Sequence, residues 1–254
     1  MNKFETVLIT GASSGIGCEL AKIFAQNGYN LILIARNIIK LNELACELMD
    51  KYNIKVYVLQ QDLLENNAAE KVYESVTKIG KNVDILINNA GIGYVGSFHK
   101  KSLKSDKEIL RLNIVTLTEL TKLFSKDMVK LKKGKILNVA STGSFSPGPF
   151  TAVYYATKAY VLSFSMAISE ELKPYNVMVS VLCPGATRTN FSKRAGKRDN
   201  KIGMSPDKVA RIAYFGLLKN KRIIIPGIIN KILTKIPGNL VYKVVGIYQK
   251  KLMN

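Results

Sequence analysis

Ser141, Tyr154 and Lys158 are the residues whose types and spacing suggest chemistry. The serine stands 13 residues before the tyrosine, and the lysine lies one helical turn beyond it. A hydroxyl, a phenol and an ammonium brought to one point can give and take a proton at a carbonyl or an alcohol. A free phenol titrates near ~10 and a lysine near ~10.4, so each needs its neighbours to be useful at neutral pH. A positive charge one turn along the same helix face favours phenolate and draws the tyrosine towards the working range. The adjacent Tyr155 has no lysine four residues on, since residue 159 is alanine, and it reads as packing. A Tyr-x-x-x-Lys spacing recurs by chance. Its meaning depends on whether the preceding chain builds a site for a hydride carrier.

Those groups need a scaffold, and the chain supplies strands alternating with helices. Short β-branched or apolar runs suited to buried parallel strands occupy residues 6–10 (TVLIT), 30–35 (NLILIA), 55–60, 85–88, 135–140, 178–183 and 222–225. Helical spacings of apolar residues fall between them at 16–26, 37–52, 68–79, 105–129 and 154–172. Alternation at these lengths predicts an α/β fold, a single doubly wound parallel sheet of about seven strands with helices on both faces. No linker, repeat or low-complexity tract divides the 254 residues. Residues 1–227 are therefore read as one domain, with a loop at about 187–205, and residues 228–254 as its basic, amphipathic helical extension.

Hydrophobic content of 47% and charged content of 22% are ordinary for a soluble globular chain. The apolar runs fall short of the ~18 residues that a membrane-spanning helix needs. The N-terminus runs at once into a strand and a glycine loop, so no signal peptide is expected. Cys18, Cys46 and Cys183 are far apart and lack metal-ligand spacing, which reads as reduced packing residues in a cytoplasmic protein. Formal net charge is +20, and residues 187–254 hold +14 of it, with 16 Lys and Arg against Asp199 and Asp207. That imbalance suits an anionic lipid surface, a phosphate-bearing substrate or a merely solvated basic face. Nucleic acid has only the charge in its favour, with no reading helix or aromatic platform.

The first strand is followed by Gly11-Ala-Ser-Ser-Gly-Ile-Gly17. Gly11 suits a tight strand-to-helix turn, Gly15 and Gly17 allow close backbone approach, and a helix N-terminus presents free N–H groups to a pyrophosphate. Read with Asp62 after the third strand, Asn88-Asn-Ala-Gly91 after the fourth, Asn113, Ser141, the Tyr154/Lys158 pair and Pro184-Gly185, this TGASSGIG segment resembles the single-domain short-chain dehydrogenase/reductases from residue 6 to about 189. The resemblance implies a Rossmann-type domain and oxidoreductase chemistry at a carbonyl or alcohol. Tyr154 would then be the general acid/base, Ser141 would stabilise the substrate oxygen, and Lys158 would bond the nicotinamide ribose. Asn113 would hold a water of the proton relay. It also implies a dinucleotide site of Gly11, Ser13, Ser14, Gly15, Ile16, Gly17, Asp62, Leu63, Asn89, Ala90, Gly91, Pro184, Gly185, Thr187 and Thr189. Asp62 would read adenine or cap its loop. Asn89 and Gly91 would shape the adenosine side through backbone contacts, and no metal is called for.

At the end of the second strand, where a carboxylate would repel a 2′-phosphate, stand Arg36, Asn37 and, one turn on, Lys40, and no acid is expected nearby. An arginine there favours NADP(H) over NAD(H). Segments 92–99, 143–150 and 191–204 should rim the substrate pocket. They offer Ile92, Tyr94, Val95, Phe98, Phe145, Phe150 and Phe191, and a basic run of Lys193, Arg194, Lys197, Arg198 and Lys201. An apolar ketone, aldehyde or 3-oxoacyl compound suits such a lining. Leu240, Val241, Val244, Val245, Ile247, Tyr248 and Leu252 share one side of a C-terminal helix. That face could cover the pocket mouth, join subunits of a homodimer or homotetramer, or lie on an anionic membrane, leaving a cytoplasmic protein peripheral to it. The alternative reading is a dinucleotide-binding regulatory or membrane-associated protein with little turnover, which would ordinarily lack one of the four residues Asn113, Ser141, Tyr154 and Lys158.

Overall fold

The β-branched runs become strands because their side chains can be buried on both faces of a parallel sheet. A computed structural model describes residues 5–196 and 203–251. The strands are β1 (Thr6–Thr10), β2 (Asn30–Ala35), β3 (Val56–Gln60), β4 (Ile85–Asn88), β5 (Gly134–Val139), β6 (Val177–Leu182) and β7 (Ile223–Ile224), all paired in parallel in the order β3-β2-β1-β4-β5-β6-β7. The seventh is shorter than residues 222–225, with two residues in register against Val181 and Leu182. The helices are α1 (Gly15–Gln26), α2 (Ile38–Tyr52), α3 (Ala68–Ile79), α4 (Leu103–Leu110), α5 (Leu117–Leu131), α6 (Ala152–Leu172), α7 (Asn190–Arg194), α8 (Pro206–Leu218), α9 (Ile228–Leu233) and α10 (Gly238–Lys251). The helical stretch expected at 105–129 is α4 and α5 joined through a π-helical turn, Arg111–Thr116.

Strand side chains alternate faces, and two cores result. Val7, Ile9, Leu31, Leu33 and Leu137 face Leu20 and Phe24 of α1, Leu41 of α2, and Tyr214 and Leu217 of α8. Leu8, Ile32, Leu86 and Ile136 face Val72 and Val76 of α3 and Leu120, Phe124 and Met128 of α5. The α8 helix was not anticipated. Ser205-Pro206-Asp207, with Val209, Ala210, Ala213 and Leu217 buried behind it, carries an N-terminal proline signal and helical spacing that mark it after the fact.

Strand order reverses between β1 and β4, so the crevice beyond their carboxyl ends lies open between the loops that follow them. Just below, a buried polar chain crosses the sheet. Asn88 Nδ2 donates to Thr121 Oγ1 and to Asn138 Oδ1, each at 2.9 Å, and Asn138 Nδ2 donates to Ser165 Oγ at 3.0 Å. It fixes β4, β5, α5 and α6 together directly beneath the loops that carry Asn89 and Ser141. Removing its centre leaves buried donors and acceptors unpaired, at about 1–3 kcal/mol. Asn138→Leu is therefore expected to lower Tm by about 4–8 °C in scanning calorimetry, and an unchanged Tm would remove this chain from the account of what holds the site.

Candidate active site

After Thr10 the chain must turn sharply into α1, and Gly11 and Gly15 take left-handed backbone angles (φ +68° and +61°) that side chains disfavour. Gly17 is required by contact: a Cβ there would stand 2.5 Å from both Gly11 O and Asn89 Nδ2. The loop is clasped to the one after β4. Thr10 Oγ1 accepts from Asn89 N and Ala90 N, each at 3.0 Å, and Asn89 Nδ2 donates to Thr10 O at 2.9 Å. The Asn89 side chain is thus a buttress of the glycine loop. Ser14 is the N-cap of α1, yet its side chain makes no capping bond and the first turn holds no acid. The N–H groups of that turn, beside the positive end of the helix, suit an anion.

These loops open into a cavity of about 1010 Å³ lined by Gly11, Ser13, Ser14, Gly15, Ile16, Arg36, Asp62, Leu63, Asn89, Ala90, Gly91, Ser141, Tyr154, Lys158, Pro184, Gly185, Thr187 and Thr189. Of the residues singled out from the sequence, Gly17 and Asn113 stand behind its wall. At one end, Arg36, Asn37 and Lys40 gather at the start of α2, with Asn37 Oδ1 capping that helix at Lys40 N (3.0 Å). The expectation of no acid near Arg36 is corrected by folding: Asp62 Oδ2 lies 3.8 Å from Arg36 Nη1, brought there from the end of β3. Both groups are well exposed, so the pair is worth little and leaves the guanidinium free to move. Asp62 also caps its own loop, Oδ1 accepting from Leu64 N at 3.0 Å.

At the other end stand the proton-handling candidates. Ser141 follows β5, and its Oγ accepts from Gly143 N at 3.1 Å. Tyr154 and Lys158 lie on α6, with Lys158 Nζ donating to Val139 O at 2.8 Å and standing 5.8 Å from the centre of the Tyr154 ring. Burial draws the Lys158 ammonium down to about 8. Burial likewise raises the Tyr154 phenol above its ordinary range, opposed by a hydrogen bond with Ser141. Lys158, its Nζ on Val139 O, is not among the groups that shift Tyr154 in this structure. Tyr154 is therefore a neutral phenol at neutral pH. Asn113 sits fully buried in the π-helical turn. Its Oδ1 accepts from Ile92 N (3.0 Å), and its Nδ2 donates to Ile92 O (2.9 Å) and Thr157 Oγ1 (3.1 Å). The Gly93 backbone packs on the Tyr154 ring, where a Cβ would come within 2.7 Å of Cδ2.

The far wall comes from the chain after β6. Thr189 caps α7 at Phe191 N (3.3 Å) and touches the glycine loop, and Arg194 Nη2 donates to Ser14 Oγ at 3.2 Å. Ile92, Phe145 and Phe191 line the cavity as expected, whereas Tyr94, Val95, Phe98 and Phe150 do not. Tyr94 OH is held by Asp106 at 2.5 Å, Val95 is buried with its N–H on Ala195 O (2.9 Å), and Phe98 is exposed. Lys197, Arg198, Lys201 and Leu252 lie outside the described residues. Val241, Val244, Val245, Tyr248 and Gln249 of α10 roof the cavity, so the C-terminal helix covers the mouth. Gln249 went unnoticed in the sequence. It is buried, its Nε2 reaches Tyr155 OH at 3.4 Å, and its Oε1 has no partner among the described residues.

Residues 5–200 match the family model described as short chain dehydrogenase. The very-long-chain 3-oxoacyl-CoA reductase of Pyrenophora tritici-repentis is 36% identical over 192 residues, which is 73% of this chain and 56% of that protein, so this chain spans little more than half of that relative's length. The 3-oxoacyl-[acyl-carrier-protein] reductase FabG of Aquifex aeolicus is 29% identical over 217 residues, covering 82% of this chain and 88% of that one. Among solved structures, a short-chain dehydrogenase from Sphingobium yanoikuyae in complex with NADPH superposes with a TM-score of 0.84 at 32% identity, covering 98% of this chain and 95% of that one.

The site holds a charge where burial disfavours it, and this has a sign that can be read. Lys158 titrates near 8 when folded and near ~10.4 unfolded, so the unfolded chain holds the proton more tightly and stability rises with pH through that window. Below pH 8 the native state bears the whole cost, about 3 kcal/mol less about 1 for the bond to Val139 O. Lys158→Met is thus expected to melt about 4–8 °C above the parent at pH 7, with the gap closing by pH 10.5 in a calorimetric pH series. A variant that melts lower at pH 7 would contradict this.

Proposed function

The chain belongs to the short-chain dehydrogenase family, and from that premise we propose an NADP(H)-dependent oxidoreductase that moves a hydride to or from the carbonyl or alcohol carbon of a largely apolar substrate. The observation that carries this reading is one cavity with Tyr154, Ser141 and Lys158 at one end and the glycine loop with Arg36 and Lys40 at the other. The dinucleotide supplies the hydride. Its pyrophosphate fits the uncapped first turn of α1 at Gly15 and Ile16, and a 2′-phosphate fits Arg36 and Lys40.

Within that site each side chain has a task. Tyr154, neutral at rest, donates its proton to the carbonyl oxygen in reduction and recovers one in the reverse direction. Ser141 hydrogen-bonds the same oxygen and stabilises the charge that develops there. Lys158 is the residue that would bond the ribose hydroxyls of a bound dinucleotide, in exchange for its present bond to Val139 O, and its charge would then lie nearer the phenol. Asn113 spends its carboxamide on Ile92 and Thr157, so a water of the relay is held through the backbone of the π-helical turn. Thr187, Thr189, Pro184 and Gly185 form the nicotinamide-side wall. Tyr155 stays a packing residue, its ring pressed between Gly143 and Gly148.

A ketone, aldehyde or 3-oxoacyl compound suits the wall of Ile92, Phe145, Phe191, Val241 and Val245. The names of the two reductase relatives support the 3-oxoacyl case. A second groove, lined by Ile114, Val115, Leu123 and Tyr160 on α5, α6 and the π-helical turn, supports assembly as a homodimer or homotetramer through the long helices.

With a screened carbonyl substrate followed by NADPH absorbance, Tyr154→Phe should lose about 10²–10⁴-fold in kcat while NADPH still binds by fluorescence. Retained turnover in Tyr154→Phe, with Tyr155→Phe inactive, would transfer the role to Tyr155. Arg36→Ala should raise KM for NADPH about 10–100-fold, the effect of one charged hydrogen-bonding pair, and leave KM for NADH nearly unchanged. A parent enzyme that prefers NADH would sink the cofactor assignment.

A further inference from the structure

The two helices that roof the cavity also have an outer side, and it is apolar. Ile228, Ile229 and Ile232 of α9, Ile236 in the connection, and Leu240 and Ile247 of α10 are between 37% and 76% exposed, and none of them lines the cavity. Single exposed hydrophobics are ordinary, but a run of six on two successive helices and their connection marks a surface with a partner. Lys231, Lys235, Lys243, Lys250 and Lys251 stand exposed among them, and residues 228–254 contain no Asp or Glu.

Charge decides between the occupants. In a two-fold assembly the same patch would meet its own copy, setting five lysines against five with no carboxylate from either segment to answer them. An anionic bilayer answers both features, with acyl chains for the isoleucines and headgroups for the lysines. Among the described residues no helix is long and apolar enough to cross a membrane, so the contact lies in the interface plane.

We propose that α9 and α10 form a pad that seats the mouth of the cavity on an anionic lipid surface. The inner sides of the same helices, through Leu233, Thr234, Val241, Val245 and Gln249, line that cavity. Gly238 and Gly246 seat α10 on Pro147 and Pro149, where added Cβ atoms would stand 3.3 Å from proline carbons. A membrane on one side of the roof thus adjoins an apolar cavity on the other. Resting on the function proposed above, this makes the substrate a lipid-phase carbonyl compound that reaches Tyr154 beneath the roof without crossing open water.

The test is co-sedimentation of the full chain with phosphatidylcholine vesicles with and without phosphatidylglycerol, at low and high salt, alongside light scattering of the protein alone. Binding should need the anionic lipid and weaken at least tenfold in high salt. It should fall at least tenfold in the triple variant Ile229→Ser, Ile232→Ser, Ile247→Ser, none of whose positions lines the cavity. That variant should keep the parent's melting temperature and its turnover of a water-soluble ketone. The proposal is overturned if the parent stays in the supernatant, if the variant binds equally, or if the variant turns a parent dimer into a monomer, which would make the patch a subunit interface. Sedimentation needs no turnover, so an inactive parent would count against the proposed reaction and leave this result readable.

Discussion

One hydroxyl carries much of the site. Thr10 Oγ1 accepts from the backbone of both Asn89 and Ala90 and donates to Ile87 O at 3.3 Å, while the Asn89 amide returns to Thr10 O. This clasp sits where strand order reverses, at the crevice between the loops that follow β1 and β4. It holds the glycine loop against the loop after β4, which forces Gly17 to lie bare against Gly11 O and aims the first turn of α1 into the cavity. Without it the two halves of the crevice would be separate loops.

The opposite end is built against its own stability. Among the described residues Lys158 has no carboxylate partner; it rests on a backbone carbonyl, and burial works against its charge. The same low-dielectric surroundings raise Tyr154 and push the neighbouring Cys183 thiol up to about 12. One environment thus keeps an acid protonated, a thiol inert and a lysine readily neutralised. Strongly shifted groups gathered in a cleft mark sites of chemistry, and here all the shifts trace first to burial.

The sheet was legible because each buried strand is a compact apolar run, and the elements from β1 to β6 fall within a residue or two of the sequence reading. Gly11, Gly15 and Gly17 were legible because backbone geometry leaves few substitutes. Spacing found Ser141, Tyr154 and Lys158. What escaped depends on contacts between distant segments. Asp62 meets Arg36 only once β2 and β3 pair, Lys158 turns to Val139 O instead of the phenol, and Gln249 finds Tyr155 across 94 positions. Tyr94, Val95 and Phe98 have pocket-like character, yet Asp106 and Ala195 hold the first two elsewhere. Periodicity identified an apolar face on α10 but not that Val241 and Val245 would look inward while Leu240 and Ile247 look out.

The seam beneath α10 is built from prolines and glycines. Proline at 147 and 149 has no N–H to give, and Gly238 and Gly246 have no side chain to interlock, so those two contacts hold by shape alone, beside the Gln249–Tyr155 hydrogen bond. Elements fastened by few buried apolar contacts and few hydrogen bonds open at a fraction of the global unfolding free energy. The cavity therefore has a floor of sheet ends tied by backbone ladders and a roof joined to the body partly through glycine–proline contacts. Amide exchange along the chain would follow that gradient, with α10 exchanging by opening as a unit while β1 and β4 wait for global unfolding.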